Sequence, residues 1–164
     1  MKNGLVIADA GPIFSLAIID KLVLLDQLFD EVKIPRAIWR EITLQKNTDF
    51  YNAIVGFFED KVVDIRGFNE LTFIMDYGES EAVVLYKELG ADFLLIDDKK
   101  ARKIAENFGM NCIGTLGLLS FSKDKNLIRE LRPLFIELLD NKRYFSLNLL
   151  NAILIEKNEE PIIH

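Results

Sequence analysis

A chain of 164 residues, half of them hydrophobic, is long enough for one domain with a sizeable core. Its net charge of −6 argues against loose, charge-driven binding to nucleic acid, and leaves room for a local basic rim or for a cation that offsets clustered acids. No apolar run reaches bilayer-spanning length, the stretch after Lys2 is broken by Asp9 and Gly11-Pro12, and the single cysteine, Cys112, excludes an internal disulfide; a reducing, cytoplasmic setting without a membrane is expected.

The predicted elements alternate. A strand over 4–9 ("GLVIAD") leads into helical material that runs through "LVLLDQLF". A short strand over 31–34 precedes "PRAIWREITLQ", a helix with Pro35 in its first turn. A polar helix near 48–58 leads to "KVVDI", the third strand. "GESEAVVLYKELG" is a helix closed by Gly90, "DFLLID" a strand, "DKKARKIAENFG" a helix closed by Gly109, and "NCIG" a short strand that holds Cys112 as a small core residue. Helices fill most of the rest, with helical packing from about Leu127. Strands separated by helices favour a parallel sheet covered on both faces. The expectation is a single α/β domain over residues 1–156 and a frayed tail over 157–164, "KNEEPIIH".

Several acids occupy informative places. Asp9 ends the first strand and Asp97 ends "FLLID". Sites in parallel sheets form beyond the carboxyl ends of the strands, so two central parallel strands would deliver both carboxylates to one side. Each acid has a competing role as a helix cap. Gly11-Pro12 furnishes its own turn after Asp9, whereas a helix begins at once after Asp98, which makes Asp98 the cap and Asp97 the better site candidate. Glu41 lies three residues after Ile38 and four after Ala37, so it faces partly inward, with a solvated place at the edge of that face as the alternative. Asp76 and Glu79 have capping-box spacing, which offers Glu79 a structural task. Glu81 has no such task and precedes the apolar run "AVVLY", where an ionised carboxylate is costly unless paired or metal-bound.

Other chemistries fall away. The one histidine, His164, is the last residue, which excludes a His-dependent triad, a His-bearing zinc site and a His general base. Neither GxxxxGK[ST] nor GxGxxG occurs. Clustered oxygen ligands without nitrogen or sulfur suit Mg²⁺ or Mn²⁺, ions that activate water and neutralise the charge developing on a phosphate.

With these motifs the chain resembles the PIN-domain ribonucleases, in particular a prokaryotic subgroup with a "DAGP" start and a "GExEA" helix. The resemblance runs along nearly the whole chain: "IADAGPIFSLA" carries over to Asp9, "VKIPRAIWREI" to Glu41, and "YGESEAVVLYKELGADFLLIDDKKAR" to Glu81, with Glu79 as neighbour, and to Asp97 with Asp98. "CIGTLGLL" places Thr115 as support near the metals, and "RYFSLNLLNAIL" resembles the C-terminal signature. The resemblance implies a three-layer α/β/α sandwich around a mainly parallel sheet and Mg²⁺- or Mn²⁺-dependent hydrolysis of single-stranded RNA. Asp9, Glu41, Glu81 and Asp97 would be the catalytic acids. It also implies a toxin held by a small antitoxin protein, and a homodimer. The departure from the pattern is Glu81 where the subgroup's helix carries aspartate.

Arg36, Arg40, Lys99, Lys100, Arg102 and Lys103 are candidates for holding RNA at the rim, with a solvated helix face as the alternative for the last four. Apolar residues beyond one face's need in "LVLLDQLF" and "LFIELL" point to a dimer or an antitoxin-covered surface. Two rival readings stand beside the nuclease: a PIN-like interaction module with little catalysis, and a receiver-like signalling domain suggested by "FLLIDDKKAR", although little chain follows Asp98 for the remaining receiver units.

Overall fold

The structure, a computed structural model, describes residues 2–67 and 69–163. Five strands form one all-parallel sheet: β1 (Leu5–Ala8), β2 (Glu31–Pro35), β3 (Val62–Val63), β4 (Phe93–Leu95) and β5 (Cys112–Ile113), in the order β3-β2-β1-β4-β5. The chain walks outward from β1 in one direction through β2 and β3, then returns to the other side of β1 for β4 and β5. The strand order therefore reverses at β1, and a crevice opens beyond the carboxyl ends of β1 and β4.

β1 is the innermost strand, and its side chains alternate between the two faces. Val6 and Ala8 join one buried cluster and Ile7 the other, all without solvent exposure. The same alternation divides Leu95 from Leu94 and Ile96. The cluster containing Val6 is built with α1 (Ala10–Ile18), α2 (Val23–Leu28), α3 (Arg36–Ile42), α4 (Tyr51–Phe58), α7 (Thr115–Asp124), α8 (Arg132–Asp140) and α9 (Leu147–Glu156). The cluster containing Ile7 is built with α5 (Tyr77–Leu89) and α6 (Lys99–Asn107). These are the expected three layers. A 3-10 turn, Glu70–Phe73, that the sequence did not signal joins β3 to α5. No helix among the described residues is long and apolar enough to cross a membrane.

Three details differ from expectation. Pro35 ends β2 and stands just before α3 rather than within its first turn. Most apolar residues of "LVLLDQLF" and "LFIELL" serve this chain's own core, with Leu24, Leu25, Leu28, Phe135 and Leu138 buried in it, while Val23 is 53% exposed. The tail is held down through residue 162, with His164 outside the described residues. Glu159 accepts from the backbone N–H of Leu131 (2.9 Å) and Arg132 (3.0 Å) at the start of α8 and pairs with Lys123. The Asn151 side chain bonds the backbone of Ile162 in both directions, at 3.1 and 2.7 Å. A carboxylate in this place offsets the orphan donors of the α8 terminus, which the charge-rich spelling of the tail conceals.

Burial alone would raise the Glu159 carboxyl, but Lys123 and the two backbone donors outweigh it and leave it below its ordinary value of 4.5. Its contribution to stability is thus present above that value and lost as pH falls through the folded-state value. Glu159→Ala is expected to lower unfolding stability by about 1–3 kcal/mol at pH 7, because it leaves partly buried donors unmatched, and by less near pH 3; urea denaturation at both pH values measures the difference.

Candidate functional site

Asp9 follows β1 directly, and its backbone N–H donates to the Leu95 carbonyl of β4 at 2.9 Å. It stands immediately before α1 yet makes no side-chain capping bond there, and it is only 6% exposed. Burial pushes its carboxyl up from 3.8 to about 7; the Ala10 N–H works against this, and the charges of Glu79, Glu41 and Asp97 add to it. Glu79, half-buried in the first turn of α5, is pushed up to about 6 by burial and by Asp98, Asp76 and Glu41, with the Asp76 N–H opposing. Glu41, at the exposed rim on α3, is raised first by partial loss of water and then by Asp76. Among the described residues no lysine or arginine forms an ion pair with any of these acids. Residues distant in sequence thus meet as mutually repelling carboxylates at one end of the sheet.

Asp97 is oriented rather than free. The Thr115 N–H donates to its Oδ1 at 2.8 Å and the Thr115 hydroxyl to its Oδ2 at 2.6 Å, with Thr115 fully buried at the start of α7. Asp98 takes the structural role expected of it: its Oδ1 accepts from Ala101 N–H at 2.8 Å and caps α6. Two glycines make room for the acids. A Cβ on Gly114 would stand 3.0 Å from Asp97 Oδ1 and 3.2 Å from an Arg102 guanidinium nitrogen, and one on Gly78 would stand 2.9 Å from Glu41 Oε2. Both glycines, and Asp76 as a charge within the cluster, escaped the sequence reading; glycine's role here is close approach between elements, which a single sequence does not spell.

Glu81 has a structural partner that the sequence reading did not foresee. It is 5% exposed, and its Oε1 accepts from the Ala37 N–H at the start of α3 (3.1 Å). The neighbouring Glu81 carboxylate raises the pKa of the Tyr77 hydroxyl. Glu81 is absent from the charges that act on Asp9, Glu41 and Glu79, whereas Glu79 acts on Asp9. Two residues along a helix turn a side chain by about 200°, so the two glutamates leave opposite sides of α5. The sequence argument allowed a buried carboxylate a cation or a metal as its partner and overlooked a backbone amide.

The basic candidates divide. Arg36 pairs with Asp64 at 3.1 Å, and Arg40 lies exposed near Tyr77. Arg102 pairs with Glu106 on its own helix (2.9 Å) while its guanidinium borders Gly114 beside Asp97. Lys99, Lys100 and Lys103 are exposed on α6. The donor set, oxygen only and without an ion-paired lysine or arginine among the described residues, suits a hard divalent ion. As the side chains stand, no three acids, histidines or cysteines among the described residues are grouped tightly enough to hold one.

A family model described as PIN domain matches residues 5–159, and the chain belongs to that family, which lies in a nuclease-like superfamily. No curated protein and no solved structure matches the chain. The receiver alternative is overturned by this membership, and by a sheet in which, among the described residues, only β5 follows Asp98.

The two strongest shifts have a definite sign. Asp9 and Glu79 bind protons more tightly when folded, so the metal-free protein loses stability as pH rises from about 4 toward 7. Asp9→Asn is expected to flatten that decline and to match or exceed wild-type stability at pH 8; chemical denaturation across this range in chelator measures it. A second comparison separates the glutamates. Glu79→Gln should leave the melting temperature within a few degrees, whereas Glu81→Ala should cost about 1–3 kcal/mol by stranding the buried Ala37 N–H, as read by urea denaturation.

Proposed function

We propose that the protein is a Mg²⁺- or Mn²⁺-dependent endoribonuclease that hydrolyses phosphodiester bonds of single-stranded RNA. The observation that carries the reading is Asp9: a nearly buried acid beyond the central strand, without a paired cation among the described residues, facing three other carboxylates. A fold retains such repulsion at a cost unless a ligand relieves it.

In this reading Asp9, Glu41, Glu79 and Asp97 would hold the ion, with Glu79 in the role first given to Glu81. The free oxygen of Asp98 lies at the margin. A bound ion supplies water activation and neutralises charge at the phosphate. The chain's own residues do the rest. Thr115 fixes both oxygens of Asp97, so that one ligand is preorganised. Asp9 and Glu79, with carboxyls near 7 and 6, would have protons to release on binding a cation. Arg102 borders Asp97 and is placed to meet a phosphate oxygen, and the exposed lysines of α6 extend that rim. The choice of RNA, a role as toxin under a small antitoxin, a homodimer and a cytoplasmic setting follow from the family resemblance and remain part of the proposal.

A second reading, an interaction module of the same fold, draws on the absence among the described residues of any three side chains already grouped to hold an ion. One experiment separates the two. The melting temperature of wild type should rise with Mn²⁺, by the equivalent of about 2.7 kcal/mol at 100 times the dissociation constant. Asp9→Asn should stay folded, gain much less from Mn²⁺ and lose cleavage of a single-stranded RNA by at least about 100-fold. Wild type that neither shifts with Mn²⁺ nor cleaves would favour the interaction module, and cleavage that survives in Asp9→Asn would remove the acid from the mechanism.

A further inference from the structure

A cleft of about 330 Å³ adjoins the acidic cluster, between the 3-10 turn and the start of α6. Asp76, Glu79 and Asp98 line one part of it; Phe73, Ile74 and Lys100 line another. Phe73 is 88% exposed and Ile74 48% exposed, although the turn that carries them is anchored. The Asn69 side chain accepts from Leu71 N–H (3.2 Å) and donates to the buried Ser80 on α5 (2.9 Å). Met75, next in the chain, is buried in the core. The aromatic ring is thus held out to solvent from a tethered turn, beside the candidate ion ligands and within the same cleft as an exposed lysine.

From this arrangement we propose that the cleft is a nucleotide subsite of the RNA-cleaving centre, in which Phe73 stacks on a base next to the scissile phosphate and Lys100 meets the adjoining phosphate. The proposal rests on the nuclease reading and adds to it a residue that grips the substrate. A flat ring accepts any base face, and Lys100 is the cationic side chain among the residues lining a cleft whose other charges would repel a phosphate. The subsite selects unstacked, single-stranded chain, since a base inside a duplex offers no free face.

The test compares wild type with Phe73→Ala and Phe73→Trp in Mn²⁺-dependent cleavage of a short single-stranded RNA. A ribose-phosphate oligomer of equal length without bases serves as competitor. Phe73→Ala should raise KM by about 5- to 150-fold, the equivalent of about 1–3 kcal/mol for one stacked base, and Phe73→Trp should restore KM to within about three-fold. The base-free oligomer should inhibit wild type and Phe73→Ala equally, and Lys100→Ala should weaken it. An unchanged KM in Phe73→Ala, while wild type cleaves, overturns the subsite and leaves the nuclease reading standing. Equal weakening of the base-free oligomer by Phe73→Ala overturns stacking as the cause. A change of oligomeric state in Phe73→Ala without a change in KM identifies a protein-binding face instead. Wild type that neither cleaves nor binds the RNA overturns both readings together.

Discussion

The parallel pairing of β1 with β4 is the constraint on which the site depends. Ala8 stands in register with Leu95, and Asp9 N–H continues the ladder to the Leu95 carbonyl. Because the two strands run the same way, the residues that follow them emerge at the same edge. Asp9 and Asp97, 88 positions apart in the chain, are thereby brought within electrostatic reach of each other. An antiparallel pairing of the same two strands would send them to opposite ends of the sheet. The two helices that add Glu41 and Glu79 follow from the same geometry. α3 leaves the carboxyl end of β2, next to β1, and α5 packs against both α3 and the sheet.

Core packing and charge repulsion pull in opposite directions at this edge. The core holds the sheet through two apolar clusters, one on each face. That rigidity keeps the acids together, where burial and like charge raise their pKa values instead of letting the side chains separate. The structural bonds nearby hold the supporting elements without neutralising the cluster. Glu81 ties α5 to α3 through the Ala37 amide, Asp98 caps α6, and Thr115 steadies Asp97. Gly78 and Gly114 permit the close approach of the elements that carry Glu41 and Asp97.

The acids differ in how far each is committed to the fold. Asp98 and Glu81 are bonded to backbone amides, while Asp9 makes no side-chain capping bond to the helix it precedes. Glu79 is raised by burial and by the charges of its neighbours, with the Asp76 N–H opposing.

Much of this was legible in the residues themselves. Short apolar runs such as "LVIA" and "FLL", separated by helical patterns, determine a parallel sheet covered on both faces, because such strands are apolar throughout instead of alternating with polar residues. An acid just past each run then has to lie at the carboxyl edge, so Asp9 and Asp97 were visible as a pair. Asp98 was legible as a cap because capping depends on neighbours a few residues away. What only the tertiary structure decided was every relation between distant segments. Whether Glu79 or Glu81 faces the cleft depends on the rotation of α5 against α3, which is set by the Ala37 amide and by the space above Gly78. The exposed ring of Phe73 and the anchoring of Glu159 on α8 depend likewise on surfaces that meet only after folding. Local periodicity tells a side chain's position around its own helix, but what lies opposite is settled by how the layers pack.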